Sequence, residues 1–493
     1  MNAPTGDAAF ESARTLFLEG VRMYEAGRFA DAEQRLQASL ALLPGRASTL
    51  VNLGATRRAL GRPADALPAL EAALAAAPDD VDAWCHHGLA CGDLGRDAEA
   101  ATSFARALAL APRHAAARYH LAVTLNRLHR HAEALETLQP LLVADDPAAA
   151  GAWMLAGQTL QSLGRHDDAL APYRRAFALD PALGRAGTLL GQLLQDRGQT
   201  DEAAAVLEAA IAAGADPEVN RYLLSGLRGT DPPAHAPAAY VRSLFDPYAD
   251  AFDAHLVQTL RYRGHEAVVH AAAAAHGHQR WRDVLDLGCG TGLCGPLLGP
   301  LADRLEGVDL SPAMLERAHA GGCYDTLVLS DLAAHLGDTP RRHDLVVAAD
   351  VFIYVGDLMP VFAGVRRVLE AGGLFVFSVE TTDAPAGIVL LPSLRYAHSD
   401  AYVRACAAAH GFTVVDVRPT VLREEQQRPI DGLIVSLRAA GGSSVCVRPA
   451  DRQSARDRPN DGLPGTGSPC RARARRHCAS PRCRSRHGDG RCA

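Results

Sequence analysis

The chain contains no lysine; all 50 of its basic residues are arginine. With 44 Gly, 29 Pro and abundant Ala beside them, this points to a GC-rich coding sequence and not to a surface selected for binding phosphate. Although 48% of residues are apolar, no uninterrupted apolar run approaches the ~20 residues of a membrane helix. The opening MNAPTGDAAFESA has no basic region followed by an apolar one, so no secretory leader is read there. No Cys-x-x-Cys occurs among the 11 Cys, which removes the usual zinc spacing, and no metal site is expected. The six Cys before residue 441 are scattered singly and read as free thiols. These absences lead to the expectation of a soluble, cytoplasmic protein with no membrane partner.

At 493 residues the chain is too long for one ordinary domain, and two or three are expected. Its net charge of −6 conceals an asymmetry. Residues 441–493 hold 12 Arg against 4 Asp, leaving 38 Arg against 52 acidic residues before them. The acidic part carries no nucleic-acid footprint, and no nucleic-acid partner is expected. The 441–493 segment has almost no apolar residues and no periodicity, so a disordered basic tail is expected. GC-rich DNA read out of frame yields Arg, Ala, Gly, Pro and Cys with few stops, and a frameshifted end accounts for this composition best.

The first half repeats itself. AGRFADA, LGRPADA, LGRDAEA, LHRHAEA, LGRHDDA and RGQTDEA align on Gly27, Gly61, Gly95, His129, Gly164 and Gly198, spaced 34, 34, 34, 35 and 34 apart. Five residues after each lies an Ala (Ala32, Ala66, Ala100, Ala134, Ala169, Ala203), and seven before each another small residue, from Gly20 to Gly191. Pro44, Pro78, Pro112, Pro147, Pro181 and Pro217 close the units. Small residues on both helices of a hairpin allow close approach, and each hairpin leaves an apolar face that only the next can cover. The pattern resembles tetratricopeptide repeats over residues 13–218. That resemblance implies a superhelix whose first helices, carrying Trp84, Arg118, His120 and Trp153, line a groove for a protein or peptide partner. GLRGTDPPAHAPAA, within residues 219–239, reads as a linker.

Strands and helices alternate from Tyr240 onward. Helices are expected over FDPYADAFDAHLVQTL and HEAVVHAAAAAH, and strands at Asp283–Leu287, Leu305–Leu310, Thr326–Leu329, His343–Ala349 and Leu374–Val379. Further helices are expected at Leu293–Ala302, Met359–Glu370 and Ala401–Ala409, and last strands at Thr413–Val417 and Gly432–Leu437. Such alternation implies a parallel sheet covered on both faces. VLDLGCGTGLCG, from Val284 to Gly295, follows the first strand. Its glycines let the backbone approach a ligand, and the helix after it offers free N–H groups. Gly290-x-Gly292-x-x-Gly295 also satisfies a dinucleotide fingerprint. Three features decide otherwise: Asp286 inside the end of the first strand, Asp309 ending the second in GVDLSPAML, and Asp331 ending the third in LVLSDL.

This constellation resembles class I S-adenosylmethionine-dependent methyltransferases over residues 240–438. The resemblance implies a Rossmann-like sheet with an antiparallel last strand, in an α + α/β multidomain chain that begins with the solenoid. It implies S-adenosyl-L-methionine as cofactor. Asp286 and the Gly288–Gly292 backbone, with Cys289 and Gly290, would meet its amino-acid end; Asp309, beside Leu310, its ribose; and Asp331 and Leu332 its adenine. Repeats joined to such a domain, with FDPYADAFDAHL, AADVFIYVGDL and LRYAHS, look like the bacterial repeat-containing methyltransferases named by analogy with trans-aconitate methyltransferase.

The methyl donor is already activated, so holding acceptor and methyl in line supplies most of the catalysis. A base is needed only where the acceptor must lose a proton. Asp350, Tyr354, Tyr396 and His398 are the candidates near the acceptor, and Asp350 also borders the cofactor. His398 is expected on an exposed loop, and Tyr248 of the entry helix either closes over the cofactor or belongs to the core. Asp350 departs from the Asn-Pro-Pro-Tyr pattern of enzymes that methylate nucleic-acid bases. Three readings stand: transfer to a small-molecule or carrier-bound acceptor, transfer to a protein recruited by the repeats, or a repeat scaffold with an inactive cofactor domain. Intact Asp286, Gly288, Gly290, Gly292 and Asp309 speak against the third.

Overall fold

The computed structural model describes residues 6–440, except 143–145, 247–248, 254–255, 257–258, 278, 386 and 426–427. The expected disordered tail and Tyr248 lie outside the described residues. Six helical hairpins run from Gly6–Glu25 paired with Phe29–Leu42 to Ala186–Asp196 paired with Thr200–Ala212, among the described residues. The small-residue positions explain the pairing. A Cβ added to Gly54 would fall 2.5 Å from Leu70 Cγ on the opposite helix, so only glycine lets the two helices close. Gly61 between them has φ +73°, and His129 takes the same left-handed turn at φ 57° where the fourth unit lacks glycine.

The helix Pro217–Arg228 caps the array, and it spans the start of the expected linker. Tyr222, Leu223 and Leu207 form one buried cluster with Tyr240, Leu390, Leu394 and Tyr396 of the second half. The Tyr222 hydroxyl donates to the Leu394 carbonyl at 2.6 Å, and Tyr396 to the Pro233 carbonyl at 2.6 Å. The expected linker is anchored at one stretch: Ala236 and Pro237 are buried, and the backbone of Ala234 and Ala236 pairs with Gly356, Asp357 and Tyr354. Array and sheet domain lie within one compact unit, residues 1–442.

The second half is built on β1 (Val284–Leu287), β2 (Leu305–Asp309), β3 (Thr326–Leu329), β4 (His343–Ala348), β5 (Leu369–Thr381), β6 (Ile388–Leu390), β7 (Tyr396–His398), β8 (Phe412–Glu425) and β9 (Arg428–Ala439). Parallel pairing gives the order β3-β2-β1-β4-β5, and β9 continues it antiparallel to β5 with β8 outside. The β6–β7 hairpin, absent from the sequence expectation, pairs with the last two residues of β5. Two core clusters cover the faces. One packs the helices Met359–Val368 and Asp400–Ala409, the other Gly264–His276 and the segment after the glycine loop.

Two expected helices differ from expectation among the described residues. The one after the glycine loop is only Gly295–Leu298, followed by a 3-10 turn at Gly299–Leu301. Pro300 has no N–H to continue the ladder. Within FDPYADAFDAHLVQTL, Phe245 ends the preceding helix Ala238–Phe245, and Ala249–Asp253 is helical.

Candidate active site

Strand order reverses at β1, which pairs with β2 on one edge and with β4 on the other, and β4 leads on to β5. A parallel sheet opens a crevice at the carboxyl ends of strands at such a point. A cavity of about 1020 Å³ lies there. Asp286, Gly288, Cys289, Gly290, Asp309, Leu310, Asp331, Leu332, Asp350 and Tyr354 all line it. Gly292, His398 and Tyr396 do not.

Each acid is held differently. Asp286 is 1% exposed, and its Oδ2 accepts the Tyr324 hydroxyl at 2.7 Å. Burial pushes its carboxyl up to about 7, with the Tyr324 bond pulling the other way and Asp309 adding to the rise. Asp309 Oδ2 accepts the Gly290 N–H and Oδ1 the Ser311 N–H, both at 2.8 Å. Ser311 in turn donates to Asp246 Oδ1 at 2.5 Å, and Thr291 to Asp253, so the two short helices before the sheet are tied to both loops. Asp331 caps Leu332–Asp338, its Oδ1 accepting from Ala333 and Ala334 at 2.8 and 3.2 Å. Gly288 has φ +67°, and a Cβ there would lie 2.5 Å from Val351.

At the other end of the cavity Asp350 adopts φ +60°, a conformation a non-glycine residue holds only when its surroundings fix it. Arg423 fixes it, with Nη1 at 2.9 and 3.0 Å from the two carboxylate oxygens. Arg423 also donates to Glu425 at 2.8 Å and to Glu380, and Arg395 bridges the same two glutamates at 2.8 and 2.6 Å. Asp350 is therefore half of an ion pair at both oxygens, not a free base. Tyr354 meets Phe245 edge-to-face at 5.6 Å, and burial pushes its hydroxyl above the ordinary tyrosine range.

His398 corrects the expectation of an exposed loop. It is buried in β7, its Nε2 donates to the Gly356 carbonyl at 2.9 Å, and burial pushes its pKa down to about 4 despite that bond. It holds the hairpin in place. Tyr396 does the same through Pro233. Cys289 and Cys294 are buried beside Asp286, and burial drives both thiols well up, as befits loop fillers. In the array, Trp84 and Arg118 occupy one repeat position and donate to the carbonyls of Pro78 and Pro112 at 2.8 and 2.5 Å. His120 stacks on Phe104 at 5.6 Å, and Trp153 is partly buried.

The sequence reading missed Tyr324, Arg423, Arg395 and the backbone of residues 234–236. Ala236 N–H donates to Tyr354, and Ala234 accepts from Gly356 and Asp357, each at 2.8 Å. His235 and Ala236 line the cavity. Arg423 carried no sign in the sequence: it lies in RPTVLREE, beyond the expected strand Thr413–Val417 and beside two glutamates. A register shift between Val421 and Arg423 turns it inward, which strand alternation does not reveal.

The cavity suits an adenosyl ligand with a cationic tail. Its glycine-lined floor admits close backbone approach, and Asp286 meets no cationic side chain among the described residues. Residues 285–377 match the family described as Methyltransferase domain. Residues 17–183 match Tetratricopeptide repeat in overlapping stretches, and 160–224 match a second family of that description. A Ubiquinone biosynthesis O-methyltransferase of Proteus mirabilis is 24% identical over 119 residues, 23% of this chain and 49% of that one. A Malonyl-[acyl-carrier protein] O-methyltransferase of Hamiltonella defensa is 33% identical over 95 residues, 19% and 36%. The chain thus spans half or less of the length of these relatives. The magnesium protoporphyrin IX methyltransferase of Synechocystis with bound SAH aligns at 20% identity and TM-score 0.33, covering 41% of this chain and 99% of that one. S-adenosyl-L-methionine is the cofactor that goes with a methyltransferase domain of this family. The chain carries tetratricopeptide repeats in its N-terminal part and a class I methyltransferase domain in its C-terminal part.

Proposed function

We propose that the protein transfers a methyl group from S-adenosyl-L-methionine to an acceptor with an apolar body, bound between the Tyr354 segment and residues 234–241. One observation carries this reading: acids at or just past the ends of β1, β2 and β3 share a cavity that continues past β4 to an apolar and aromatic wall. Asp286, Asp309 and Asp331 would hold the cofactor, which supplies an activated methyl group. Val241, Phe245, Ile353 and Tyr354 would orient the acceptor and exclude water. Because Arg423 occupies Asp350 and burial holds the Tyr354 hydroxyl protonated, any proton the acceptor must lose goes to solvent.

The array gives this site a partner-dependent reading as well. Its capping helix packs in the same cluster as Tyr354, which supports a protein held on the repeats as a second kind of acceptor. A helix long and apolar enough to cross a membrane does not occur among the described residues. Methyl-labelled cofactor added with the full-length protein to a cell extract tests both readings. Label in small molecules supports the first, and label in protein the second. Label in neither fraction, or labelling unchanged by Asp309→Ala, refutes the transferase reading.

A further inference from the structure

The loop glycines divide into two groups. Gly288 and Gly290 line the cavity. Gly292 and Gly295 face Tyr324: a Cβ on them would lie 3.0 and 2.9 Å from its ring, and one on Gly307 of β2 would lie 2.8 Å away. Three glycines, two from the loop and one from β2, thus leave a slot that any side chain would close, and the phenol ring fills it. At the end of the slot the hydroxyl reaches Asp286 Oδ2 at 2.7 Å. A carboxylate this deeply buried is costly unless a cation or several donors meet it. Tyr324 is a single neutral donor.

We propose that Tyr324 is a positioning residue for the cofactor: seated among Gly292, Gly295 and Gly307, it fixes one oxygen of Asp286 and leaves the other for the cationic amino-acid end of S-adenosyl-L-methionine. The proposal rests on the methyltransferase reading. It also gives the third glycine of the fingerprint, Gly295, a purpose, since that residue leaves room for an aromatic ring. The groups facing Asp286 are Asp309 on β2, Cys289 and Cys294 in the loop, Tyr262 before the helix Gly264–His276, and Tyr324 itself. None is a cation. With its carboxyl pushed up by burial and held down by the Tyr324 bond, Asp286 loses charge as pH falls through about 7, and it does so at higher pH without the hydroxyl.

Calorimetry of S-adenosyl-L-methionine binding to full-length wild type, Tyr324→Phe, Asp286→Asn and the double variant, from about pH 5.5 to about 7.5 where the ligand keeps its charge, tests this. Tyr324→Phe should bind ~10-fold more weakly near neutral pH, with its acid limb moved to higher pH. Asp286→Asn should bind weakly with a flattened pH dependence, and the double variant should match it. Unchanged affinity and an unmoved acid limb in Tyr324→Phe, or additive losses in the double variant, overturn the proposal. Should Tyr324→Phe not fold, Asp286→Asn decides: a pH dependence as steep as the wild type's overturns the role of Asp286 and with it that of Tyr324. Wild type that binds no S-adenosyl-L-methionine at any pH overturns the methyltransferase reading itself.

Discussion

In the repeat array each buried cluster draws on adjacent hairpins, in chain order from the first pair to the last. In the sheet domain one core cluster gathers residues from Leu285 to Ala439. The charged group below the cavity is assembled from β5, β8, the segment after β4 and the turn before β7. An array of local contacts can lose one contact and keep its architecture; a nonlocal cluster fails as a whole. The two halves nevertheless share a cluster at their joint. The array therefore ends inside the domain's structure and not on a tether.

The sharpest test of that contrast is Arg423→Met. Removing the arginine leaves Asp350, Glu380 and Glu425 with a lost partner while Arg423 is 3% exposed. Breaking a buried ion cluster from one side costs about 3–5 kcal/mol. Chemical denaturation should show a loss of that size, and a fully stable variant would break the claim that this cluster holds the domain.

Next in size is Asp309→Ala. It removes an acceptor for the cofactor along with the bonds to Gly290 and Ser311. Binding of S-adenosyl-L-methionine should weaken by about 2–4 kcal/mol, a factor of ~30 to ~1000. Calorimetry with the variant checks it, and equal affinity would remove Asp309 from the site.

Gly54→Val probes the array. The added atoms meet Leu70 at 2.5 Å, and overpacking of this kind costs about 1–3 kcal/mol. The hairpin lies far from the joint, so cofactor affinity should not change. Because the last repeat and the domain share a cluster, melting followed by a probe in either half should give coincident transitions in the wild type. Two separated transitions would restore the tether.

The array was legible because its period repeats the same contact six times, and the Gly-to-Leu or Gly-to-aromatic pairings follow from it. The acids at the strand ends were legible because topology alone puts them at the crevice. Tyr324 was not: its partner Asp286 is 38 residues away, and no motif marks a ring that packs against glycines. His398 was misread because it lies in a three-residue strand, the second of a short hairpin, that the end of β5 draws into the sheet. The linker was misread for a physical reason as well. Pro and Gly report the absence of helix or strand, but not whether the backbone that remains is hydrogen-bonded elsewhere.

Asp331 offers the finest comparison, because one side chain there has both a local and a distant duty. Its Oδ1 caps the helix Leu332–Asp338 through Ala333 and Ala334, and the proposed role gives the other oxygen to the adenine amino group. Asn keeps an oxygen that can cap and replaces the other with a donor, which repels an amino group. Asp331→Asn should therefore leave the melting temperature within error and weaken S-adenosyl-L-methionine binding by ~3- to ~10-fold. Asp331→Ala should lose about 1 kcal/mol of stability as well, the usual value of an N-cap. Thermal melts and calorimetry on the two variants separate the duties. If Asn binds cofactor as well as Asp does while Ala destabilises, the acid at the end of β3 is a helix cap alone, and adenine recognition falls to Leu332 and the backbone beside it.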